Sequence, residues 1–219
     1  NSKSQIFFYD SAQSVKPSDI PSSHFDKLLN EHNTIEIELK SQMRSNGGND
    51  YITFVDDLLN IKRENKNFYS PANYDVLVFD SMKDMYEQLS IKEEKHSLCR
   101  LIAGYSWPWL SQKDTTAIDI AIDGVKLQWN KTDKDWINSE DSFKQVGCIH
   151  TTQGYDLNYT GVIFGEEISF NKVTQQIEID KTKYFDKNGK RGVEDIEALK
   201  KYIINIYKTI MFRGIKGVY

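Results

Sequence analysis

The sequence predicts an α/β fold in which helices flank a largely parallel β-sheet. Short apolar runs that are typical of buried strands alternate along the chain with amphipathic segments that are typical of helices. The longest amphipathic segment lies near the end of the chain and carries its apolar residues at helical spacing, at Val193, Ile196, Leu199, Ile203 and Tyr207. Acidic residues begin this segment and lysines end it, as the helix dipole favours. A small antiparallel insertion is expected at about residues 105–145.

The first half of the chain contains three strand candidates. Apolar runs at residues 6–9 and 74–79 predict short buried strands, and an alternating run at residues 34–40 predicts a strand with one covered face. The chain opens almost directly on the first of these runs and stops at Val218-Tyr219, where another strand is expected to begin. We therefore expect both ends to be cuts through a larger protein.

The same half contains three helix candidates. The first is expected to follow Gly47-Gly48, with Asn49 or Asp50 as its cap and with a buried face formed by Ile52, Val55 and Leu59. The second is expected to bury Met82, Met85, Tyr86 and Leu89. The third is expected near Glu93 to Ala103, with Gly104 as its C-cap.

The middle of the chain predicts a β-hairpin. Apolar and polar residues alternate on both sides of Asp123-Gly124, which is a tight-turn signal. Four tryptophans lie nearby and could stack on bases, although packing of the insertion is the favoured role; they are Trp107, Trp109, Trp129 and Trp136. Further short strands are expected at residues 146–149 and 161–164 and around residues 177–179.

Composition excludes several classes of protein. Among 219 residues, two cysteines cannot build a disulfide framework, so a reducing, cytoplasmic location is expected. The four histidines show no metal-ligand spacing with the cysteines, so no metal site is expected. No apolar run approaches the roughly 20 residues that cross a bilayer, so no membrane partner is expected. The net charge of −4 excludes a strongly basic surface but leaves room for a local basic groove.

Four polar segments follow a predicted strand or end a predicted helix, and they lie at residues 9–13, 41–46, 150–156 and 207–214. In open α/β sheets, ligands bind in the crevice outside the carboxyl ends of the strands. Arginine offers a planar fork to phosphate oxygens, and glutamine can position a water molecule or contact a γ-phosphate. The four segments together therefore predict a polyphosphate site.

The order of these segments resembles the later motifs of superfamily 1 helicases. It reads strand-Asp-x-x-Gln, Gln-x-Arg-Ser, His-Thr-x-Gln-Gly-x-Asp and Thr-x-x-x-Arg-Gly. The chain most resembles the bacterial Schlafen-group-3-like DNA/RNA helicase family of P-loop NTPases, over most of residues 35–219. The phrases that carry the resemblance are RLIAGYSWPW, VGCIHTTQGYDLNYTGVIFG and YKTIMFRGIKG.

The resemblance implies a RecA-like fold and a division of the chain into two parts. Residues 1–22 would be a remnant of a first RecA-like domain with its linker, and residues 23–219 would be the second RecA-like motor domain. ATP and Mg²⁺ would bind between the two domains of the longer protein. Single-stranded DNA or RNA would be the partner.

The resemblance also implies roles for nucleotide-site residues. Asp10 and Gln13 resemble motif III, which couples the γ-phosphate to nucleic acid. Arg44 resembles the motif IV arginine that reaches the γ-phosphate. Arg213 resembles the motif VI arginine finger, and such fingers accelerate related NTPases by about 10³–10⁵.

Motif V is the source of the implied nucleic-acid contacts. His150, Thr151, Thr152 and Gln153 lie where the family contacts nucleic acid. Gly154 and Asp156 match the turn that follows, and the carboxylate is expected to help hold the ribose or the domain interface.

The chain departs from the family pattern in three of these motifs, and Gln42 stands where Asn is commoner. Met43 stands where Tyr is commoner, Gln153 where many relatives have Lys, and Phe212 where Thr is usual, which leaves the strength of nucleotide binding open. More important, no G-x-x-x-x-G-K-[ST] loop occurs, and Gly189-Lys190 lacks both the earlier Gly and the following Ser or Thr. We therefore expect this chain alone to bind no ATP or Mg²⁺ and to hydrolyse no ATP.

Each segment also has an ordinary structural explanation. Asp10 and Gln13 could form a plain turn, Arg44 a surface ion pair, His150 a satisfied strand-end histidine and Arg213 a helix C-terminal cation. The alternative function is a non-catalytic module that binds nucleic acid or protein.

The run from Lys181 to Arg191 could be a solvated loop or could contact phosphates.

Overall fold

A computed structural model of the chain describes residues 3–31, 33–39, 44–60 and 73–219. Within these ranges the chain is an α/β fold, as predicted: a seven-stranded, mostly parallel sheet is flanked by helices. The α-helices of the described residues are α1 (Ser22–Leu29), α2 (Gly48–Asn60), α3 (Met82–His96), α4 (Ile149–Thr152) and α5 (Ile196–Met211).

The strands of the described residues are β1 (Asp75–Val76), β2 (Cys99–Ala103), β3 (Ile120–Ile122), β4 (Val125–Trp129), β5 (Gln145–Gly147), β6 (Leu157–Ile163), β7 (Ile168–Asn171), β8 (Gln176–Ile179) and β9 (Gly214–Val218). The order in the main sheet is β1-β9-β6-β2-β5-β4-β3, and every neighbouring pair is parallel except β3 with β4. Strands β7 and β8 form a separate antiparallel hairpin.

Strand β2 lies at the centre of the sheet and contributes to a core on each face. Leu101 packs with the core that contains Leu89 of α3, whereas Ile102 packs with the core that contains Leu199 and Ile203 of α5. Successive side chains of a strand point to opposite faces, so α3 and α5 cover opposite sides of the sheet. All five residues of β2 are buried.

The predicted helix from Glu93 to Ala103 is wrong. Helix α3 continues to His96, positive φ angles at Ser97 (55°) and Leu98 (50°) end it, and Cys99–Ala103 is the central strand. A strand that is buried on both faces has no alternation, and its short apolar run resembles a continuation of the helix before it. Gly104 therefore follows a strand and is not a helix C-cap.

Two predicted strands in the first half are absent from the described residues, and a third is short. Residues 6–9 and 34–39 have no strand pairing, and Phe8 and Ile35 are 86% and 84% exposed; position 40 lies outside the described ranges. The strand predicted at residues 74–79 is limited to β1, beyond which Val78 is 94% exposed. A strand needs a pairing partner, which an apolar pattern does not supply.

Most of the other predicted elements are confirmed. Helices α2, α3 and α5, the β3–β4 hairpin and strands β5, β6 and β8 lie close to where the sequence placed them, with β6 longer than expected. Strand β5 ends at Gly147, and Ile149, predicted in this strand, begins α4. Val193 precedes α5, and Ile196 is 43% exposed, so neither belongs to the buried face of that helix. Helix α2 already begins at Gly48, so neither Asn49 nor Asp50 is its cap. The end of the chain is itself a strand, β9, which pairs with β1 and β6.

The hairpin is continuous with the main sheet, because β4 pairs in parallel with β5. Trp129 and Trp136 are fully buried, which confirms packing as their role, and Cys148 is also in the core. Among the described residues, no helix is both long and apolar enough to cross a membrane.

Candidate functional site

The structure brings Arg44, Asp156 and Arg213 together beside the first residues of β6 and β9. Asp156 directly precedes β6 and Arg213 directly precedes β9, and the backbone N–H of Leu157 donates to the carbonyl of Arg213 at 3.0 Å. The backbone N–H of Asn46 donates to the carbonyl of Ile215 at 2.9 Å. This bond fixes the segment that carries Arg44 to the same end of β9. Residues 41–43 of that segment lie outside the described ranges.

Buried tyrosines fix the turn between α5 and β9, where Arg213 lies. The hydroxyl of Tyr51, on α2, donates to the carbonyl of Met211 at 2.9 Å. The hydroxyl of Tyr74 donates to the carbonyl of Gly214 at 3.1 Å. The backbone on both sides of Arg213 is therefore held by side chains from distant parts of the chain.

The cluster contains two guanidinium groups and one carboxylate. Nε of Arg44 forms an ion pair with Oδ1 of Asp156, and both side chains are partly exposed. Arg213 is only 2% exposed; its Nη1 donates to the carbonyl of Tyr155 at 3.3 Å, and its buried Nε has no hydrogen-bond partner. Burial, with the charge of Arg44, lowers the pKa of Arg213 to about 10, although Asp156 acts in the opposite direction.

Arg213 thus stays protonated at neutral pH in a place where positive charge is poorly balanced. Such a cluster favours a polyanion, since guanidinium groups bind phosphate oxygens in bidentate geometry. Arg44 and Asp156 are the members that a ligand can reach. Arg213 offers almost no surface in this arrangement.

The position of the cluster differs from the expectation. The sequence pattern placed the polar segments at the carboxyl ends of strands, whereas Arg44, Asp156 and Arg213 lie at the amino ends of β6 and β9. Helix α5 leads directly into β9, so the last residues of the helix necessarily lie at the amino end of that strand. An open groove of about 650 Å³ lies close to the cluster and is lined by Asn46, Asn73, Asp75, Tyr159 and Lys216.

Gly154 and Gln153 form the exposed turn between α4 and Asp156. Gly154 has a φ of +92°, a conformation that side-chain-bearing residues rarely adopt. An added Cβ at this position would meet no atom within 4 Å, so the turn needs Gly for its backbone angle alone.

His150 lies at the opposite end of the parallel strands from the arginine cluster, beyond the carboxyl end of β5. Its Nε2 is 3.5 Å from Oδ2 of Asp186, and the His150 side chain is about one-third exposed while Asp186 is buried. Burial would raise the pKa of Asp186, but hydrogen bonds from His150 and from backbone N–H groups hold that pKa below its usual range. Asp186 lies far from His150 in sequence, so no local pattern could have predicted this pair.

Thr151 and Thr152 point into the fold, and Thr151 caps the start of α4. Oγ1 of Thr151 accepts a hydrogen bond from the backbone N–H of Cys148 at 3.1 Å. The hydroxyl of Thr152 donates to the carbonyl of Cys148 at 2.9 Å, and both side chains are buried. These hydroxyls are therefore engaged within α4, as threonines often are at helix ends.

Asp10 and Gln13 lie apart from the arginine cluster, in a single turn of 3₁₀ helix at Ser11–Gln13. Nε2 of Gln13 donates to Oδ2 of Asp10 at 2.9 Å, and both residues are exposed. The turn rests on α5, where Nδ2 of Asn205 donates to the carbonyl of Ser14 at 2.8 Å. Asn205 precedes Arg213 by roughly two helical turns.

A buried carboxylate at the carboxyl end of β6 was missed by sequence reasoning. Glu167 is fully buried; the hydroxyl of Tyr207 donates to its Oε1 at 2.6 Å, and its Oε2 has no hydrogen-bond partner. A Cβ added at Gly104 would lie 2.2 Å from both Oε1 of Glu167 and the Tyr207 hydroxyl. The available signal was a glycine shortly after each of two strands: Gly104 follows β2 directly, and Gly165 lies two residues after the end of β6. Among the described residues, there is no group of three or more His, Cys, Asp or Glu side chains that could hold a metal ion.

Comparisons with known proteins agree with the resemblance seen in the motifs. An uncharacterized protein of Saccharomyces cerevisiae is 29% identical over 155 residues, which cover 67% of this chain and 34% of that relative. The chain thus spans about a third of the length of the curated relative that it matches. No solved structure matches the chain. The family model described as "Schlafen group 3, DNA/RNA helicase domain" matches residues 1–219, and the chain therefore belongs to this family.

Proposed function

We propose that the chain is the second motor domain of an ATP-dependent superfamily 1 DNA or RNA helicase or translocase. The observation that carries the proposal is that Arg44 and Arg213 meet at the amino ends of β6 and β9, where the Asp156 carboxylate pairs with Arg44 and also acts on the charge of Arg213. Two arginines from distant parts of the sequence suit the phosphates of a nucleotide. Membership of a DNA/RNA helicase domain family supports the same function.

The nucleotide itself needs a second domain. The chain has no P-loop, so ATP and Mg²⁺ would be held by a first RecA-like domain that presents the γ-phosphate to Arg44 and Arg213. The exposed apolar side chains of Ile6, Phe7 and Phe8 support a partner surface of this kind, since isolated domains seldom leave such runs in water. Alone, the chain would hydrolyse no ATP.

The ion pair suggests how the two arginines act in turn. A γ-phosphate would compete with Asp156 for the partly exposed guanidinium of Arg44. The phosphate would also bring negative charge next to Arg213, whose own charge is poorly balanced because the side chain is buried and lies close to Arg44. Arg213 would then stabilise the charge of phosphoryl transfer as an arginine finger.

The test is ATP hydrolysis by a polypeptide that joins this chain to its P-loop domain, with and without single-stranded DNA or RNA. We expect strand-stimulated hydrolysis that falls by about 10³-fold or more in Arg213→Ala. Because Arg213 is buried, its replacement by alanine could also disturb the fold. Two milder variants are therefore measured beside it. Arg213→Lys keeps the charge without the planar fork, and Arg44→Ala changes a partly exposed side chain. Unchanged hydrolysis in both of these variants would contradict the proposal.

A second function is favoured by the burial of Arg213 and by the internal hydrogen bonds of Thr151 and Thr152. These features suit a non-catalytic module that binds nucleic acid or protein and is derived from a helicase domain. Strand binding by the joined polypeptide without any ATP hydrolysis would support it.

Cytoplasmic location is proposed on the two buried free cysteines, which suit a reducing compartment.

A further inference from the structure

The connection between β8 and α5 contains a strongly basic turn. Residues 181–191, called here the basic turn, contain four lysines, one arginine and a single carboxylate, in a chain whose net charge is −4. The acidic residues that follow belong to the start of α5, where the carboxylate of Asp195 is the N-cap and accepts from the backbone N–H of Glu197. The basic charge is therefore local.

The basic turn is held rigidly against the carboxyl edge of the sheet. The backbone N–H of Phe185 donates to the carbonyl of Tyr105, just beyond β2, at 2.7 Å. Tyr184 is buried, and its carbonyl accepts from Nζ of Lys190. Oδ1 of Asp186 accepts from the backbone N–H of Asn188 at 2.9 Å. A surface that is already ordered loses little conformational entropy when it binds a ligand.

Some side chains of the basic turn are engaged and others face solvent. Nζ of Lys183 pairs with Glu166 at 2.7 Å, and Nζ of Lys181 donates to a backbone carbonyl at 2.6 Å. Lys187 and Arg191 are exposed, and the described residues supply neither side chain with a hydrogen-bond or ion-pair partner. The ring of Phe185, two residues before Lys187, is 39% exposed.

We propose that the basic turn binds a single nucleic-acid strand, with Phe185 stacked on a base and with Lys187 and Arg191 on backbone phosphates. An exposed aromatic ring on a fixed backbone, flanked by cations, is the combination that single strands require. An acidic peptide would need only the cations and would give the exposed ring of Phe185 no role. Asp186 lies 3.5 Å from His150, so this surface adjoins the residue for which the resemblance implies a nucleic-acid contact. The inference rests on the proposed function for its class of partner.

The experiment measures binding of fluorescently labelled oligo(dT) and oligo(U) to this 219-residue chain over a range of salt concentrations. We expect Phe185→Ala to weaken binding by about 5- to 150-fold, because stacking contributes about 1–3 kcal/mol per base. The double variant Lys187→Ala/Arg191→Ala should reduce the slope of log K against log salt by about 1.4, as expected for two phosphates on a single strand. All three positions are exposed, so the fold should tolerate these changes.

The matched control is Lys126→Ala/Lys134→Ala, which removes two exposed cations from the region of β4. It should leave both affinity and salt slope within about twofold of the wild type. Equal weakening by the control and the turn variants would overturn the proposal, as would binding by the turn variants that equals the wild type. Wild-type chain that binds an acidic peptide and neither oligonucleotide would also overturn it. The motor function is judged separately, by the ATP hydrolysis described above.

Discussion

At Glu167, burial and hydrogen bonding act on the pKa in opposite directions. Burial raises the pKa of this carboxyl group, and hydrogen bonds involving Ser106 and Tyr207 lower it, with burial prevailing. The folded protein therefore keeps a proton on Glu167 at pH values where the unfolded chain has lost it. Because the folded state then binds more protons, this group makes the protein less stable as the pH rises.

Glu167→Gln should remove this dependence, because the amide keeps the size of the side chain and the acceptor for Tyr207 but cannot ionise. Relative to this variant, the free energy of unfolding of the wild type should fall as the pH rises from the ordinary value of 4.5 to the raised folded pKa. The fall should be about 1.4 kcal/mol for each unit between the two pKa values. Urea unfolding from about pH 4 to pH 8 measures it, with the exposed Glu166→Gln as the control. A constant difference between wild type and Glu167→Gln would contradict the argument.

At the scale of elements, α5 connects two features of the site. It supports the turn of Asp10 and Gln13 through Asn205, and it leads into Arg213 at its other end. Its N-cap is Asp195, whose carboxylate accepts from the backbone N–H of Glu197 at 3.0 Å. The stability of this helix therefore affects both the turn of Asp10 and Gln13 and the position of Arg213.

Asp195→Ala should lower the free energy of unfolding by about 1 kcal/mol, because the first turn of α5 loses its capping bond. Glu194→Ala is the matched control: it removes a neighbouring exposed carboxylate that does not cap the helix, and we expect a change within about 0.5 kcal/mol. Urea unfolding with circular dichroism compares the two. Equal destabilisation would attribute the effect to charge near the helix dipole rather than to the cap.

Elements that depend on the spacing of their own residues could be predicted from the sequence. Elements that depend on contacts with distant parts of the chain could not. Helix α5 follows from its own apolar spacing, whereas β2 depends on burial between two neighbouring strands, which the run Cys99–Ala103 does not reveal. The same holds for the site. The resemblance selected Arg44 and Arg213, but the edge at which they meet depends on the pairing of β6 with β9. Asp186 had no local signal, since its contact with His150 is purely tertiary.

At the scale of the whole molecule, exposed apolar side chains collect in the segment that precedes Arg44. Ile35, Ile37 and Leu39 are 80–84% exposed at alternate positions, which would place them on one face of an extended segment. Side chains this exposed contribute little to the stability of the chain itself. Under the proposed function, they form an apolar surface shortly before Arg44 in the sequence, and a first RecA-like domain would cover it.

Ile35→Ser/Ile37→Ser should therefore leave the unfolding of this chain within about 0.5 kcal/mol of the wild type. It should weaken association with the P-loop domain, supplied as a separate polypeptide, by about tenfold or more, because burial of an isoleucine side chain contributes about 1.5–3 kcal/mol. Phe170→Ser/Val173→Ser is the matched control, since both side chains are exposed on the β7–β8 hairpin. Titration calorimetry measures association, and urea unfolding confirms that each variant is folded. If both pairs weaken association equally, the segment before Arg44 has no special part in the contact; if the isoleucine pair destabilises the chain, those side chains pack within this domain instead.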